Sequence, residues 1–137
     1  MKYPSDTRWE SKVSSVKALR FQTKEYHKAL ISIRNASKGK DSKGYSEANA
    51  LAEEVGSFRF VLCLTIWYDL LVDVNKVSKL LQDENMQIDV AQQLITATQS
   101  LLRSYRDSET FFSAAVDAAT EICDQMHVPA EMPNKRR

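Results

Sequence analysis

The side chains able to hold a metal ion or take part in a reaction are few and far apart. His27, His127, Cys63 and Cys123 never fall at the short spacings that zinc sites use, so no metal site is expected. Asp69 and Asp73 stand one helical turn apart, and two carboxylates on one face can share a proton or hold magnesium. With Lys76 one turn further on, the simpler reading is a solvated polar stripe. The sequence has no glycine-rich phosphate loop, no nucleophile elbow and no Cys-His pair at a recognised spacing. Catalysis and bound cofactors are therefore not expected. One pair points elsewhere. Arg8 and Trp9 stand at the expected start of a helix, whose free backbone donors and partial positive charge suit a phosphate. A tryptophan there could stack on an unpaired base, with the guanidinium on the backbone. The competing reading places Trp9 at the head of an apolar stripe, closing the end of a core.

The elements that must position these residues all read as helices. Thr7 followed by Glu10 matches a capping box and predicts a helix from about Arg8. Trp9, Val13, Val16, Leu19, Tyr26, Leu30 and Ile33, with Thr23 filling the gap, form one face, so this is one long helix or two nearly collinear ones. His27 lies beside the Tyr26 face and is expected in solvent. The stretch 35–45, NASKGKDSKGY, has three lysines, two glycines and no apolar period, and reads as a mobile surface loop. Ser46 then caps a helix that leads into the next through Gly56, where glycine implies a kink or a close helix crossing.

The organising stretch follows, from Gly56 to Gln82. Phe58, Phe60, Val61, Leu62, Leu64, Ile66, Trp67, Leu70, Leu71 and Val74 lie on nearly every side of its first turns, which predicts a helix enclosed by others. Its one water-facing strip is expected to be Thr65, Asp69, Asp73, Lys76 and Asp83. Trp67 and Tyr68 are expected in the core. A helix over 89–106 carries Ala91, Leu94, Ile95, Leu101, Leu102 and Tyr105 on one stripe. The last helix starts from Ser108, carries Phe112, Ala115, Val116, Ala119, Ile122, Cys123 and Met126, and stops before Pro129. His127 stands at its end, where a histidine favours the C-terminal dipole.

These readings add up to an all-α fold: four to five helices bundled around a long apolar helix at about 57–82. A single helical domain is expected over 1–128, with an extended tail over 129–137. The totals agree. The chain has 137 residues, only three glycines and three prolines, and 43% hydrophobic residues, enough for one real core. A net charge of +1 excludes nonspecific retention of nucleic acid by overall field, so any DNA contact must be local. Arg59, Asp69 and Asp73 interrupt the longest apolar run, which argues against a membrane span. Two distant cysteines and no apolar leader after Met1 give an intracellular, reducing compartment as the expectation.

The segments DTRWE (6–10), SKVSSVKALRFQ, GSFRFVLCLTIWYDLL and NKVSKLLQ, in that order, resemble plant zinc-finger MYM-type-like and TTF-type proteins derived from hAT-superfamily transposases. In such proteins this region is an all-helical insertion that interrupts a ribonuclease H-like catalytic domain. The resemblance implies a chain without the family's catalytic carboxylates, zinc finger or dimerisation segment: a non-catalytic remnant. It carries over Arg8 and Trp9 as candidate DNA-binding residues, facing a flipped or hairpin base at the transposon end. Hairpin or single-stranded DNA is the implied partner and the nucleus the implied location. The terminal Lys135 to Arg137 could act as a weak nuclear address or simply be solvated. A function of another class stays open beside it, a helical module for self-association or for binding another protein. An insertion cut from its parent leaves exposed the apolar surface that once faced the catalytic domain.

Overall fold

The computed structural model describes residues 4–134, with side chains from residue 9 onward. Six helices and no strand occur among the described residues: α1 (Pro4–Phe21), α2 (Thr23–Ser37), α3 (Ser42–Val55), α4 (Phe58–Leu81), α5 (Ile88–Asp107) and α6 (Glu109–Met126). The all-α class is thus observed, with more helices than the four to five expected, because the chain breaks at two places where the pattern runs on.

The first break is at Gln22, between α1 and α2. Thr23, 3% exposed, turns its hydroxyl back to donate to the Leu19 carbonyl at 2.6 Å, and so ties the two helices at the joint. The second is at Gly56 and Ser57, where α3 and α4 meet at 66°. The Ser57 hydroxyl accepts from the Phe60 N–H and caps α4. A Cβ on Gly56 would stand 2.8 Å from His27 Nε2 and 3.0 Å from the Ala52 carbonyl. Glycine therefore serves both a bend and a close approach. His27 lies against this corner, not in solvent as its neighbour Tyr26 suggested, and burial, then Arg34, lowers its pKa.

Other boundaries also move. α1 begins at Pro4, so Thr7 lies inside the helix and does not cap it; the fixed φ of proline suits a first helical position. The lysine-rich stretch is mostly helical. α2 continues to Ser37 and α3 starts at Ser42, capped by Asp41, whose carboxylate accepts from the Gly44 N–H, and not by Ser46. Gly39, at φ 75°, makes the tight turn between them. α2 packs on α3, with Arg34 donating to the Asn49 side-chain oxygen; His27, Leu30, Ile31 and Arg34 are half-buried, while Tyr26 and Ile33 are exposed.

α4 touches α1, α3, α5 and α6. In its first half Phe58, Val61, Leu62, Leu64 and Thr65 are buried, and Phe58, Val61 and Leu62 form the main buried core with Ala115, Ala119, Ile122, Cys123 and Met126 of α6. The small residues Ala115, Ala119 and Cys123, four apart, let α6 approach closely. α6 ends in a Schellman closure, with His127 left-handed and the Val128 N–H donating to the Cys123 carbonyl; Val128 and Ala130 then pack back on the core.

The second half of α4 is covered thinly. α1 runs antiparallel along it, as the Glu10–Lys79 ion pair at 2.6 Å and the edge-to-face Phe21–Tyr68 contact at 5.3 Å define. α5 returns along another side and buries no residue completely. The expected enclosure on all sides is not observed: Arg59 and Cys63 are exposed even in the first half, and no residue of α4 beyond Thr65 is fully buried. Trp67 is 58% exposed, because neither α1 nor α6 extends over that side of α4.

Candidate functional site

The residues singled out from sequence do not converge on one site. Trp9 is half-buried and lines a hollow with Val74, Val77, Leu81 and Thr98, which places its ring among α1, α4 and α5. Lys12 Nζ lies 5.3 Å from the centre of that ring. The Arg8 side chain and residues 135–137 lie outside the described residues. Among the described residues no three His, Cys, Asp or Glu side chains group as a metal would need. Cys63 is exposed, whereas Cys123 is buried, and burial pushes its thiol pKa up.

The strip of α4 expected to face water does so only in part: Lys76 and Asp83 are exposed, whereas Thr65 and Asp73 are drawn into contacts. Thr65 is 4% exposed and donates to the Val61 carbonyl. Asp73 accepts a hydrogen bond from the Tyr105 hydroxyl at 2.7 Å and has Lys76 Nζ at 3.6 Å. Burial raises the Tyr105 pKa to about 12, helped by this hydrogen bond and by the charges of Asp73 and Asp69, so the phenol remains a donor. Burial also raises the Asp69 pKa, opposed by the nearby Arg20 charge. Asp73 thus joins α4 to α5 through Tyr105. The sequence masks this contact because its two partners stand 32 residues apart.

A different feature dominates this half of the molecule. Ile66 and Leu70 of α4, Leu102 and Tyr105 of α5, and Phe111 and Phe112 of α6 line an apolar groove of about 350 Å³ with Arg106 at its edge. Phe112 is 56% exposed. The groove continues into an apolar row along α5, where Ile88, Ile95 and Leu102 are 87%, 48% and 40% exposed. These three recur every seven residues and so share one face of the helix. The expected α5 stripe is therefore real in spacing but only half covered: Ala91, Leu94, Thr98 and Tyr105 turn toward the body, and the Ile88 row does not. One signal for this lay in the sequence. From Val90 to Leu102, thirteen residues carry no Asp, Glu, Lys or Arg, the longest such run in any of the six helices. A surface helix normally carries mixed charges, and the centres of protein interfaces are depleted of them.

Charge is also unevenly distributed. The first 45 residues hold eleven Lys and Arg against four Asp and Glu, and the remainder holds eight against fourteen. No described helix is by itself long and apolar enough to cross a membrane. No family model, no curated protein and no solved structure matches the chain.

Proposed function

We propose that the chain is a non-catalytic helical module for binding protein, with α4 as its axis and the open face across α4, α5 and α6 as its contact surface. The observation that carries this reading is the groove lined by Ile66, Leu70, Leu102 and Phe112, continued by the uncharged, exposed row of α5. Contiguous apolar surface of this kind marks an interaction site. The test is binding of the apolar dye 1-anilinonaphthalene-8-sulfonate under native conditions. A saturable fluorescence increase is expected, reduced severalfold in Phe112→Asp with the circular dichroism spectrum unchanged. No dye binding, in a chain that is also monomeric at every concentration, overturns the reading. Descent from a hAT-type transposase insertion, with nuclear location, fits the same surface, since an insertion resting on a catalytic domain needs an apolar face to meet it.

A second reading, local contact with hairpin or single-stranded DNA, is favoured by the basic excess of the first 45 residues and by Lys12 over the Trp9 ring. The half-buried position of Trp9 ranks it second, because a ring packed among helices has only one edge left for a base. Affinity for a hairpin oligonucleotide that falls with salt and falls further in Lys12→Ala would favour it; no binding at low salt removes it.

A further inference from the structure

We infer that the occupant of the open face is a second copy of this chain, with α5 pairing antiparallel to α5 across a twofold axis at Ile95. The inference rests on the protein-binding reading above and names its partner. Three observations lead to it.

The first is the row itself. Ile88, Ile95 and Leu102 are evenly spaced about Ile95, so a twofold axis there brings Ile95 against its own mate and Ile88 against Leu102 at both ends. At 1.5 Å per residue the row is about 21 Å long, three contact layers of a short two-helix seam.

The second is the groove. Leu102 forms one of its walls, beside Phe112. In this register the Ile88 side chain, 87% exposed at the start of α5, arrives at Leu102 of the other copy and enters that hollow. The most exposed large apolar side chain of the described residues and the apolar groove beside Leu102 thereby satisfy each other, twice. A helix running parallel to α5 would bring Ile88 against Ile88 and leave both grooves open.

The third is charge. The flanking positions Gln92 and Gln99 are neutral and face each other near the centre of the seam. The acidic residues Asp83 and Glu84 precede α5, and Arg103 and Arg106 occupy its last turns. The twofold brings the acidic turn at Asp83 and Glu84 of one copy toward the basic end of α5, Arg103 and Arg106, of the other. Arg106 also has Asp107 at 3.3 Å on its own chain, a pair exposed on both sides and so free to exchange partners. Opposed helix dipoles favour the same antiparallel arrangement.

The experiment uses the full chain with Cys63→Ser, which removes the exposed thiol, in sedimentation velocity over a concentration series and in oxidative cross-linking. A concentration-dependent dimer is expected. Ile95→Asp, which sets two carboxylates face to face on the axis, should leave only monomer with the helical spectrum unchanged. Ile95→Cys should cross-link to itself. Ile88→Cys should not, but should cross-link when mixed with Leu102→Cys. Arg106→Glu should weaken the dimer by up to about fivefold, the scale of a rim ion pair, and Glu84→Arg in the same chain should restore it.

A dimer that survives Ile95→Asp, or self-cross-linking of Ile88→Cys in place of Ile95→Cys, overturns the pairing while leaving a protein-binding module in place. A chain monomeric throughout, yet binding the dye at Phe112, overturns self-pairing alone. A monomer that binds no dye overturns both.

Discussion

The two parts of α4 are both mostly apolar, six of eight residues over 58–65 and ten of sixteen over 66–81, and end up in different surroundings. From Phe58 to Thr65 one side of the helix is sealed by α6, whose Ala115, Ala119 and Cys123 present little side-chain bulk and allow close approach to Phe58, Val61 and Leu62. From Ile66 onward it meets α1 and α5, whose facing residues include Trp9, Thr98 and Tyr105. Those side chains are larger or polar, and the contacts that hold this half include an ion pair and a buried-edge hydrogen bond, Glu10–Lys79 and Tyr105–Asp73. The contrast teaches that apolar content by itself does not make a core; a neighbour of matching shape does. The sealed half supplies stability, and the open half has surface to spare for binding.

Breaking the sealed half should have the largest effect. Leu62→Ala is expected to cost about 3 kcal/mol and to lower the melting temperature by roughly 10 °C, whereas Leu102→Ala should cost below about 1 kcal/mol in monomeric protein. Equal losses in thermal melts would erase the distinction between the halves. Next comes the corner at the head of α4. Gly56→Ala forces a Cβ against the His27 ring and the Ala52 carbonyl and should destabilise by about 2 kcal/mol, with part of the loss recovered in His27→Ala/Gly56→Ala. Chemical denaturation of the single and double variants measures the coupling.

Smaller effects sharpen the description of the open half. Tyr105→Phe removes the donor to Asp73 and should cost about 1 kcal/mol. The loss should be seen first as faster amide exchange along α5, with α6 unaffected; uniform acceleration would mean that the two halves open together. The smallest effect is a pH dependence. His27 has a lowered pKa in the folded chain, so the native state takes up its proton later than the unfolded state as pH falls. Stability should be full above the ordinary histidine value of 6.5 and decline as pH drops through the window just below it. His27→Gln should flatten that decline in melts taken across the range, while leaving the carboxylate transitions at lower pH.

Much of the fold is legible in the residues. The period of Ala115, Ala119, Ile122 and Cys123 specifies both a helix and its buried side, and Ser57 and Ser108 cap helices where the pattern begins. Gly56 announces the corner. Reading fails where a local signal has two outcomes. Thr7 with Glu10 resembles a cap, yet Pro4 starts the helix earlier. The run 35–45 is polar enough for a loop, yet a single turn at Gly39 with Asp41 as cap is sufficient. Asp69 and Asp73 look like a solvent strip because charge is usually outside, and only the approach of Tyr105 turns Asp73 into an acceptor. The candidate DNA residue Trp9 has two readings in sequence as well, and its position beside Val74 and Leu81 follows from where α1 docks.

What the sequence determined alone is therefore the helical class and, for most segments, the side that is apolar, since these depend on neighbours within a few residues along the chain. What the tertiary structure decided is which apolar sides are covered. That depends on the shapes meeting across space: small residues on α6 close over the first half of α4. The neighbours of the second half leave Trp67, Phe112 and the Ile88 row in the open.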